Sequence, residues 1–330
     1  MVAGNIFNKL SHVLVLGDVM LDGYANGLVN RISPEAPVPV LNHMHHHEVA
    51  GGASNVAMNI VALGGKASLV GLIGDDEEGR RLNSMLTSAG VNTAFVREDG
   101  RTTISKLRIV SGNHQLLRID KEVKEHISTA TEKLIIDSAC RLIMFADAVI
   151  LSDYMKGCLS DSVLSAVIGA ARDRGIPVFV DPKRHNISCY RGADYITPNR
   201  KELTAATGIN CSDESFERVA AKKAMESTGA AVLLTRSEDG MVLFAKDGDE
   251  TWLPTESKEV FDVSGAGDTV VASFALAIAG GVPPEQALRI ANCAAGIVIG
   301  KLGTATVSAD ELLRALRKTH TNIVGHESAG

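Results

Sequence analysis

The sequence predicts an α/β fold in which helices cover both faces of a mostly parallel β-sheet. Short apolar runs rich in β-branched residues alternate with helical patterns along most of the 330 residues. The runs lack regular polar positions, which is typical of strands buried on both faces in a three-layer α/β/α core. Two stretches without helical periodicity interrupt the alternation and predict a small second sheet. The length allows one large domain or two smaller ones.

Each element of the main sheet follows from its own pattern. The predicted strands are the apolar runs at residues 12–16, 67–72, 148–151, 177–180, 195–196 and 231–234. The predicted helices have apolar residues at helical spacing and cover residues 53–63, 77–88, 131–145, 161–174 and 213–228. Capping boxes pair Thr129 with Glu132 and Ser308 with Glu311, and Pro284 suits a first helical turn.

The two irregular stretches cover about residues 23–48 and 101–121. In the second stretch, Lys106 and Arg108 alternate with Leu107 and Ile109, which is the period of a β-strand. We assign both stretches to the small sheet, and we expect residues 1–330 to form a single domain that carries it.

Four histidines crowd the first of these stretches, at His43, His45, His46 and His47. They could bind a metal ion. However, a strand places only alternate side chains on one face, and no carboxylate cluster accompanies them. We therefore interpret the segment as a solvated or interface strand.

Composition excludes several classes of protein. The net charge of −6 argues against binding to nucleic acids or anionic membranes. Five dispersed cysteines without a C-x-x-C pair fit neither a disulfide framework nor a zinc site, and they indicate a reducing compartment. Residues 1–10 do not resemble a signal peptide, and no apolar run is long enough to span a bilayer. We therefore expect a cytoplasmic protein.

The strongest chemical signal is the segment DVSGAGDT at residues 262–269, which precedes an apolar helix. Glycines at a helix start let the backbone approach a ligand, and the free N–H groups there favour an anion. Asp268 in the first turn could accept a hydroxyl proton while the amides of Gly265, Ala266 and Gly267 stabilise a transferring phosphoryl group. The alternative is a plain glycine-rich turn with an acidic residue.

Two other phosphate-binding motifs do not fit. A P-loop needs serine or threonine after its glycine-lysine pair, whereas alanine and leucine follow the pairs at residues 65–66 and 300–301. The turn at residues 265–267 begins like a dinucleotide fingerprint, but Val270 occupies the position of the third glycine. A nicotinamide dehydrogenase is therefore disfavoured.

Residues near the first strand predict a polyol site. Gly51 and Gly52 begin a helix that carries Asn55 one turn later, and Asp18 and Asp22 follow the first strand. The carboxyl ends of strands are where open α/β sheets bind ligands. The alternatives are an amphipathic helix with an exposed Asn55, and aspartates that serve only a turn or a cap.

Later segments could hold a nucleotide or a phosphate. Asn199 and Glu202 at a helix start suit a hydrated Mg²⁺ near phosphates, although the same spacing is that of a capping box. The adjacent cations Lys183 and Arg184 follow a strand and could hold a phosphate or form a solvated surface pair. Residues 235–240 resemble a turn entering a hairpin, where a nucleotide could lie.

Together these motifs resemble the ribokinase family of sugar kinases. The glycine pair at residues 51–52 with its helix, the box at residues 199–202 and the segment at residues 262–268 occur in that family's order and at about its spacing. The resemblance covers about residues 12–318. It implies a ribokinase-like three-layer core, with the small sheet as a lid over the sugar.

Three further segments resemble the kinases of D-glycero-β-D-manno-heptose 7-phosphate: residues 31–40, 151–154 and 300–304. This resemblance implies ATP-dependent phosphorylation of the anomeric O1 hydroxyl, a step of ADP-heptose synthesis for bacterial lipopolysaccharide. It also implies a Mg²⁺ requirement and homodimers formed through the lid. Because the match ends near residue 318, we expect a monofunctional kinase without the adenylyltransferase that some relatives carry.

The resemblance implies roles for particular residues. Asp268 matches the catalytic base, and Gly265, Ala266 and Gly267 match the anion hole. Five residues match sugar-binding positions: Asp18, Asp22, Gly51, Gly52 and Asn55.

The remaining assignments concern the nucleotide and the substrate's own phosphate. Asn199 and Glu202 match the Mg-ATP box, where ATP and water would hold the metal ion without a direct protein ligand. Thr235, Ser237 and Asn292 lie where the family holds the nucleotide. From charge alone, Lys183 and Arg108 are candidates for the 7-phosphate.

Two alternatives stay open. One is a kinase of the same family for another sugar, such as ribose or a fructose phosphate. The other is a non-catalytic sensor of sugar phosphates or nucleosides, and an intact Asp268 beside the glycine turn argues against it.

Overall fold

The structure, a computed structural model, describes residues 11–112, 114–123, 126–256, 262–301 and 303–327, and for residues 319–327 the backbone alone. Residues 1–10, on which the signal-peptide expectation rests, and Leu302 lie outside these ranges. No helix in the described part of the chain is both long and apolar enough to cross a membrane.

The described elements alternate as the sequence predicts. In chain order, the strands are β1 (His12–Gly17), β2 (Val19–Ile32), β3 (Pro39–Gly52), β4 (Lys66–Ile73), β5 (Asn92–Arg97), β6 (Ile104–Ser111), β7 (His114–Lys121), β8 (Ala148–Ser152), β9 (Val178–Asp181), β10 (Tyr195–Ile196), β11 (Ala231–Thr235), β12 (Met241–Phe244) and β13 (Glu250–Leu253). The helices are α1 (Ala53–Ala62), α2 (Glu77–Ser88), α3 (Thr129–Ile143), α4 (Asp161–Asp173), α5 (Arg200–Thr207), α6 (Glu214–Thr228), α7 (Ala266–Ala279), α8 (Pro284–Val298) and α9 (Ala309–Glu327).

The main sheet has nine strands in the order β13-β12-β11-β10-β9-β8-β1-β4-β5. Pairings from β5 across to β11 are parallel, and β12 and β13 add as antiparallel strands. The predicted mostly parallel sheet is therefore confirmed. After β1, the chain adds β4 and β5 to one side of β1, and it then adds β8 to the other side. The carboxyl ends of β1 and β8 thus flank a topological switch point, where open α/β sheets bind ligands.

Helices cover both faces of the main sheet in two apolar layers. One layer packs α1, α2, α7, α8 and α9 onto side chains such as Val13 and Val15. The other layer packs α3 to α6 onto side chains such as Leu14 and Leu16. Because successive side chains of a strand face opposite sides, β1 supplies both layers, which confirms the three-layer core.

The two irregular stretches form a separate sheet of four strands, in the order β3-β2-β6-β7, which we call the lid sheet. β2 pairs antiparallel with β3 and parallel with β6. The predicted small second sheet is therefore confirmed. Its two longest strands begin or end beside the main sheet, since β2 starts one residue after β1 and β3 runs directly into α1.

The histidine segment lies in β3, as predicted for a strand. The ring of His47 stacks on Tyr24 with 4.8 Å between ring centroids, and His45 stacks on His47. The ring of His46 instead lies 3.3 Å from the carboxylate of Glu48. Neighbouring histidines therefore have different partners, as the alternation of a strand requires.

Two of the three predicted helix starts are confirmed. Ser308 Oγ accepts the N–H of Glu311 at 3.3 Å, and the Glu311 carboxylate accepts the N–H of Ser308 at 2.9 Å, so both hydrogen bonds of the capping box are present. Pro284 lies in the first turn of α8.

The predicted capping box of Thr129 and Glu132 is wrong. Ser128 caps α3, and its hydroxyl accepts the N–H of Thr131 at 3.1 Å. The carboxylate that accepts the Ser128 N–H, at 2.7 Å, belongs to Glu98, which lies 30 residues away in the sequence. A local sequence pattern cannot reveal such a partner.

Candidate active site

The segment at residues 262–268 forms a tight turn that ends in the first turn of α7. Gly265 precedes the helix with a φ of 78°, and a Cβ at this position would lie 2.7 Å from Asn55 Nδ2. Both the backbone conformation and the close contact therefore require glycine. The Asp262 carboxylate holds the turn by accepting the N–H groups of Ser264 at 2.8 Å and Gly303 at 3.1 Å.

Asp268 lies in this first turn and is only 3% exposed. Asn55 Nδ2 donates to its Oδ2 at 2.8 Å, and the hydroxyl of Tyr154 donates to its Oδ1 at 2.9 Å. Burial raises the pKa of Asp268 to about 6, while the two hydrogen bonds and the nearby Lys183 act to lower it. The carboxylate is therefore mostly ionised at neutral pH and able to accept a proton.

Asn55 belongs to a buried polar chain between α1 and α7. Its exposure is 1% and that of Asn59 is 0%, so the alternative of an exposed amide face on α1 is wrong. Asn59 Nδ2 donates to Asn55 Oδ1 at 3.2 Å, and Thr269 Oγ1 donates to Asn59 Oδ1 at 3.1 Å. Because Asn55 Oδ1 is occupied in this way, its amide nitrogen faces Asp268.

The glycine pair and Asp22 meet where the lid sheet joins the core. Asp22 is 4% exposed, and its Oδ1 accepts a hydrogen bond from Arg108 Nη1 at 2.8 Å. A Cβ on Gly51 would lie 2.4 Å from Asp22 Oδ2, and one on Gly52 would lie 2.5 Å from the carbonyl oxygen of Asp18. The pair is therefore required for the close approach of β3 to the residues after β1.

Asp18 holds a loop. Its Oδ2 accepts the N–H groups of Tyr154 at 2.9 Å and Lys156 at 3.0 Å, and its Oδ1 accepts that of Cys158 at 3.0 Å. Burial raises the pKa of this carboxyl group, and the backbone hydrogen bonds lower it. Both oxygens are engaged, so contact between Asp18 and a sugar stays a prediction.

The cations after β9 are paired with carboxylates. Lys183 Nζ forms an ion pair with Glu202 and lies 3.9 Å from Asp181 Oδ2, and Arg184 Nε lies 2.6 Å from Asp153 Oδ2. The alternative of a solvated surface pair is therefore wrong. Burial raises the pKa of Asp181 to about 7, which Lys183 partly offsets.

Asn199 and Glu202 form the capping box that their spacing allowed. Asn199 Oδ1 accepts the N–H of Glu202, and Glu202 Oε2 accepts the N–H of Asn199, both at 2.9 Å. The other oxygen of Glu202 faces Lys183. One carboxylate thus fixes the start of α5 and joins it to the strand end that carries Lys183.

A cavity of about 440 Å³ lies between α7, α8 and the turn after β11. Its lining includes four of the five residues predicted for the nucleotide: Asn199, Thr235, Ser237 and Asn292. Gly267 also lines it, and apolar side chains such as Val270 and Ile299 form its walls. A largely apolar slot with a few polar groups beside a helix N-terminus suits an adenine nucleotide.

Sequence reasoning missed three residues of this site. Tyr154 bonds Asp268, Asp181 lies beside Lys183, and Lys106 lies next to Arg108 on the lid sheet. Asp181 ends β9, Tyr154 lies two residues after β8 and Lys106 alternates within β6, so strand-end polarity could have indicated Asp181. The approach of Tyr154 and Asp181 to Asp268 depends on strand order, which no local pattern contains.

Comparisons with known proteins identify the family of this chain. The model of the pfkB family of carbohydrate kinases matches residues 10–311. The protein named bifunctional protein HldE of Azorhizobium caulinodans is 47% identical over 317 residues, which cover 96% of this chain and 66% of that protein. The HldE protein of Granulibacter bethesdensis is 49% identical over 310 residues, covering 92% of this chain and 64% of that protein. The chain thus spans less than two thirds of these relatives.

Solved structures support the fold. Arabidopsis thaliana ribokinase, in complex with ribose and ATP, superposes with a TM-score of 0.74 at 21% identity, covering 93% of this chain and 99% of that chain. Escherichia coli phosphofructokinase-2, in complex with substrates and products, gives a TM-score of 0.76 at 21% identity, covering 93% and 98%. With the family match over most of its length, the chain belongs to the pfkB family of carbohydrate kinases, and the protein is a sugar kinase with a ribokinase-like fold.

Proposed function

We propose that the protein transfers the γ-phosphoryl group of ATP to the anomeric O1 hydroxyl of D-glycero-β-D-manno-heptose 7-phosphate. The product is the 1,7-bisphosphate, an intermediate of ADP-heptose and lipopolysaccharide synthesis in the bacterial cytoplasm. The observation that carries this proposal is the buried carboxylate of Asp268 at the start of α7, next to the cavity wall at Gly267. The choice of sugar is supported by the resemblance at residues 31–40, 151–154 and 300–304 and by 47% identity to an HldE protein.

In the proposed reaction, Asp268 accepts the O1 proton as the bond from O1 to the γ-phosphorus forms. The bond from that phosphorus to the bridging oxygen breaks, and ADP leaves with its electron pair. The N–H groups of Gly265, Ala266 and Gly267, at the start of α7, stabilise charge on the phosphoryl oxygens. The N–H of Ala266 donates to the carbonyl oxygen of Val263 at 3.2 Å, so in this proposal it exchanges that partner for a phosphoryl oxygen. Asp22 and Asn55 border the space where the sugar would bind.

The residues present are suited to ATP and Mg²⁺. Mg²⁺ prefers oxygen ligands and retains several waters, and the carboxylates of Asp181 and Glu202 lie at the strand edge near Asp268. When bound with ATP, the ion supplies positive charge to the transferring group. The side chains of Asn199 and Glu202 are engaged in the capping box, so we propose that they reach the metal ion through water.

The charges of the lid sheet support a site for the 7-phosphate. The guanidinium of Arg108 lies 5.1 Å from the ring centroid of Tyr24 and is paired with Asp22. Lys106 Nζ contacts Met20 Sδ at 3.3 Å, and it has no ion-pair partner among the described residues. Burial lowers the pKa of Lys106, so an arriving phosphate would stabilise its charged form. We therefore propose Lys106 beside Arg108 for the 7-phosphate, with Lys183 closer to the transferred group.

We further propose that residues 1–330 form one domain and that two copies dimerise through the lid sheet. Leu107 pairs with Ile119, and Ile109 pairs with Leu117, so these side chains share one face. Leu117 is 57% exposed and Ile119 is 51% exposed. An apolar face of this kind, opposite the charged face with Arg108, is typical of an interaction surface.

An assay of ATP consumption tests the proposed reaction. We expect ADP formation with one anomer of the heptose 7-phosphate, and little with the other anomer, with the same heptose lacking its phosphate, or with ribose or fructose 6-phosphate. Turnover of another sugar in preference to the heptose would contradict the substrate. No turnover of any sugar in the panel would favour a sensor and contradict the proposed catalysis.

A further inference from the structure

We propose that Tyr154 is a positioning residue that holds the Asp268 carboxylate in place as a proton acceptor. The inference rests on the proposed function, because it assumes that Asp268 is the catalytic base. It concerns a residue that neither the sequence motifs nor the family match assigns to the reaction.

The geometry around Asp268 carries the inference. Tyr154 donates to Oδ1 at 2.9 Å and Asn55 donates to Oδ2 at 2.8 Å, so each oxygen is fixed by a different element. Two donors on the two oxygens suppress rotation of the carboxylate about its Cβ–Cγ bond. Each oxygen keeps a second lone-pair direction, which can accept the proton of a substrate hydroxyl.

Hydrogen bonds to the loop after β8 fix the position of Tyr154 in the structure. The Asp18 carboxylate accepts the N–H groups on both sides of the next residue, those of Tyr154 and Lys156. That residue, Met155, has a φ of 56°, which is uncommon for a side chain of its size. Its N–H donates to Asp153 Oδ1 at 2.8 Å. Such a conformation persists only where its surroundings enforce it, and it occurs most often at functional sites.

The hydroxyl of Tyr154 acts as a donor. Burial and the neighbouring charges of Asp268 and Asp181 raise its pKa well above the ordinary value, so it keeps its proton at any pH at which the enzyme would work. It therefore cannot serve as a second base. Its hydrogen bond favours the charged form of Asp268 and thereby lowers the pKa of that carboxyl group.

The pH profile of Tyr154→Phe tests the inference. Turnover requires ionised Asp268, whose pKa is raised to about 6, so wild-type kcat should fall as the pH drops through about 6. Losing a charge-assisted donor should move this acid limb upward by about one pH unit. We expect kcat to fall more at pH 6 than at pH 9, with KM for ATP little changed. A merely structural role would lower kcat equally at both values.

Tyr190→Phe is the matched control. The hydroxyl of Tyr190 donates to Asp153 Oδ2 at 2.9 Å, so this variant also loses a buried bond from tyrosine to aspartate, but not one to Asp268. Its acid limb should coincide with that of the wild type. An equal shift in both variants would overturn the inference.

A titration of ¹³C-labelled aspartate carboxyl groups by NMR separates this inference from the proposed function. The Asp268 signal is identified by its absence in Asp268→Asn, and its midpoint should rise in Tyr154→Phe. If the midpoint rises while the wild type does not phosphorylate the heptose, the substrate is wrong and the positioning role stands. If the heptose is phosphorylated while midpoint and acid limb stay unchanged in Tyr154→Phe, the positioning role is wrong.

Discussion

At the scale of single residues, Asp268 obtains its surroundings from distant parts of the chain. Its two hydrogen-bond donors lie 213 and 114 positions away, at Asn55 and Tyr154. The sequence could predict Asp268 and Asn55, since each lies next to glycines at a helix start. It could not predict Tyr154, whose role depends on β8 lying next to β1 in the sheet.

Asp18 illustrates the limit of prediction from residue type. A carboxylate after a buried strand is equally compatible with sugar binding and with a turn. The structure assigns its oxygens to the amides of Tyr154, Lys156 and Cys158. The role of the Asp18 side chain is therefore set by the loop after β8, which lies 136 or more residues away in the sequence.

The variant Asp268→Asn tests the residue that carries the proposed reaction. An amide of the same shape cannot accept the proton, so we expect kcat with the heptose 7-phosphate to fall by about 10²–10⁴-fold. Binding of ATP, measured by calorimetry, should be retained because Gly267 and the cavity stay unchanged. Turnover close to that of the wild type would contradict the assignment of the base.

At the scale of elements, the start of α7 combines a backbone requirement with a side-chain contact. Gly265 has a positive φ, and a Cβ at this position would lie too close to Asn55 Nδ2. Both constraints exclude a residue with a Cβ. The sequence could predict the turn because glycines and an acidic first turn mark a helix start. It could not predict that Asn55 packs against this glycine, since the contact joins α7 to α1.

The variant Gly265→Ala should both destabilise the protein and impair turnover. The left-handed backbone costs about 1–2 kcal/mol for a residue with a Cβ, and the added methyl group displaces Asn55 from Asp268. Denaturant unfolding and kcat measure the two effects. For stability, Gly267→Ala is the matched control, because a Cβ there meets no atom within 4 Å. Equal destabilisation by both variants would contradict this explanation.

Prediction of the elements succeeded where the pattern is local. Strands and helices of the core were found because burial on both faces leaves uninterrupted apolar runs. The N-cap of α3 is Ser128 and not the predicted Thr129, and Glu98 accepts the N–H of Ser128 in the place of the Glu132 carboxylate that the pattern predicts. β5 and β13 carry no uninterrupted apolar run. β12 does carry one, MVLF, but only the turn that precedes it is predicted from the sequence.

At the scale of the whole molecule, the lid sheet has two chemically different faces. In the strand register, Lys106 lies opposite Asp22 of β2 and Asp120 of β7, so one face of the sheet is charged, and Asp22 places it toward the proposed site. The other face carries Leu117 and Ile119. The lack of helical periodicity predicts the sheet, whereas its role as a lid and the proposed sugar follow from the resemblance and not from a physical pattern.

The proposed dimer is tested by placing charge on the apolar face. The double variant Leu117→Asp and Ile119→Asp should convert a dimer into a monomer, measured by light scattering coupled to gel filtration. The control is Leu134→Asp, which changes a leucine that is 54% exposed on α3, away from the lid sheet. A monomeric wild type, or a double variant that remains dimeric, would contradict the proposal.

The two long strands of the lid sheet connect it directly to the proposed sugar site. Asp22 is the fourth residue of β2, which then runs away from the main sheet. β3 runs back toward the main sheet and ends at Gly51 and Gly52, directly before α1. Each strand therefore has one end in the lid sheet and the other end at the proposed site. A chimera that exchanges the lid sheet between relatives, in order to alter the choice of sugar, therefore needs its junctions in the parts of β2 and β3 far from the main sheet. A junction next to the main sheet would also replace Asp22, Gly51 and Gly52, which belong to the proposed site.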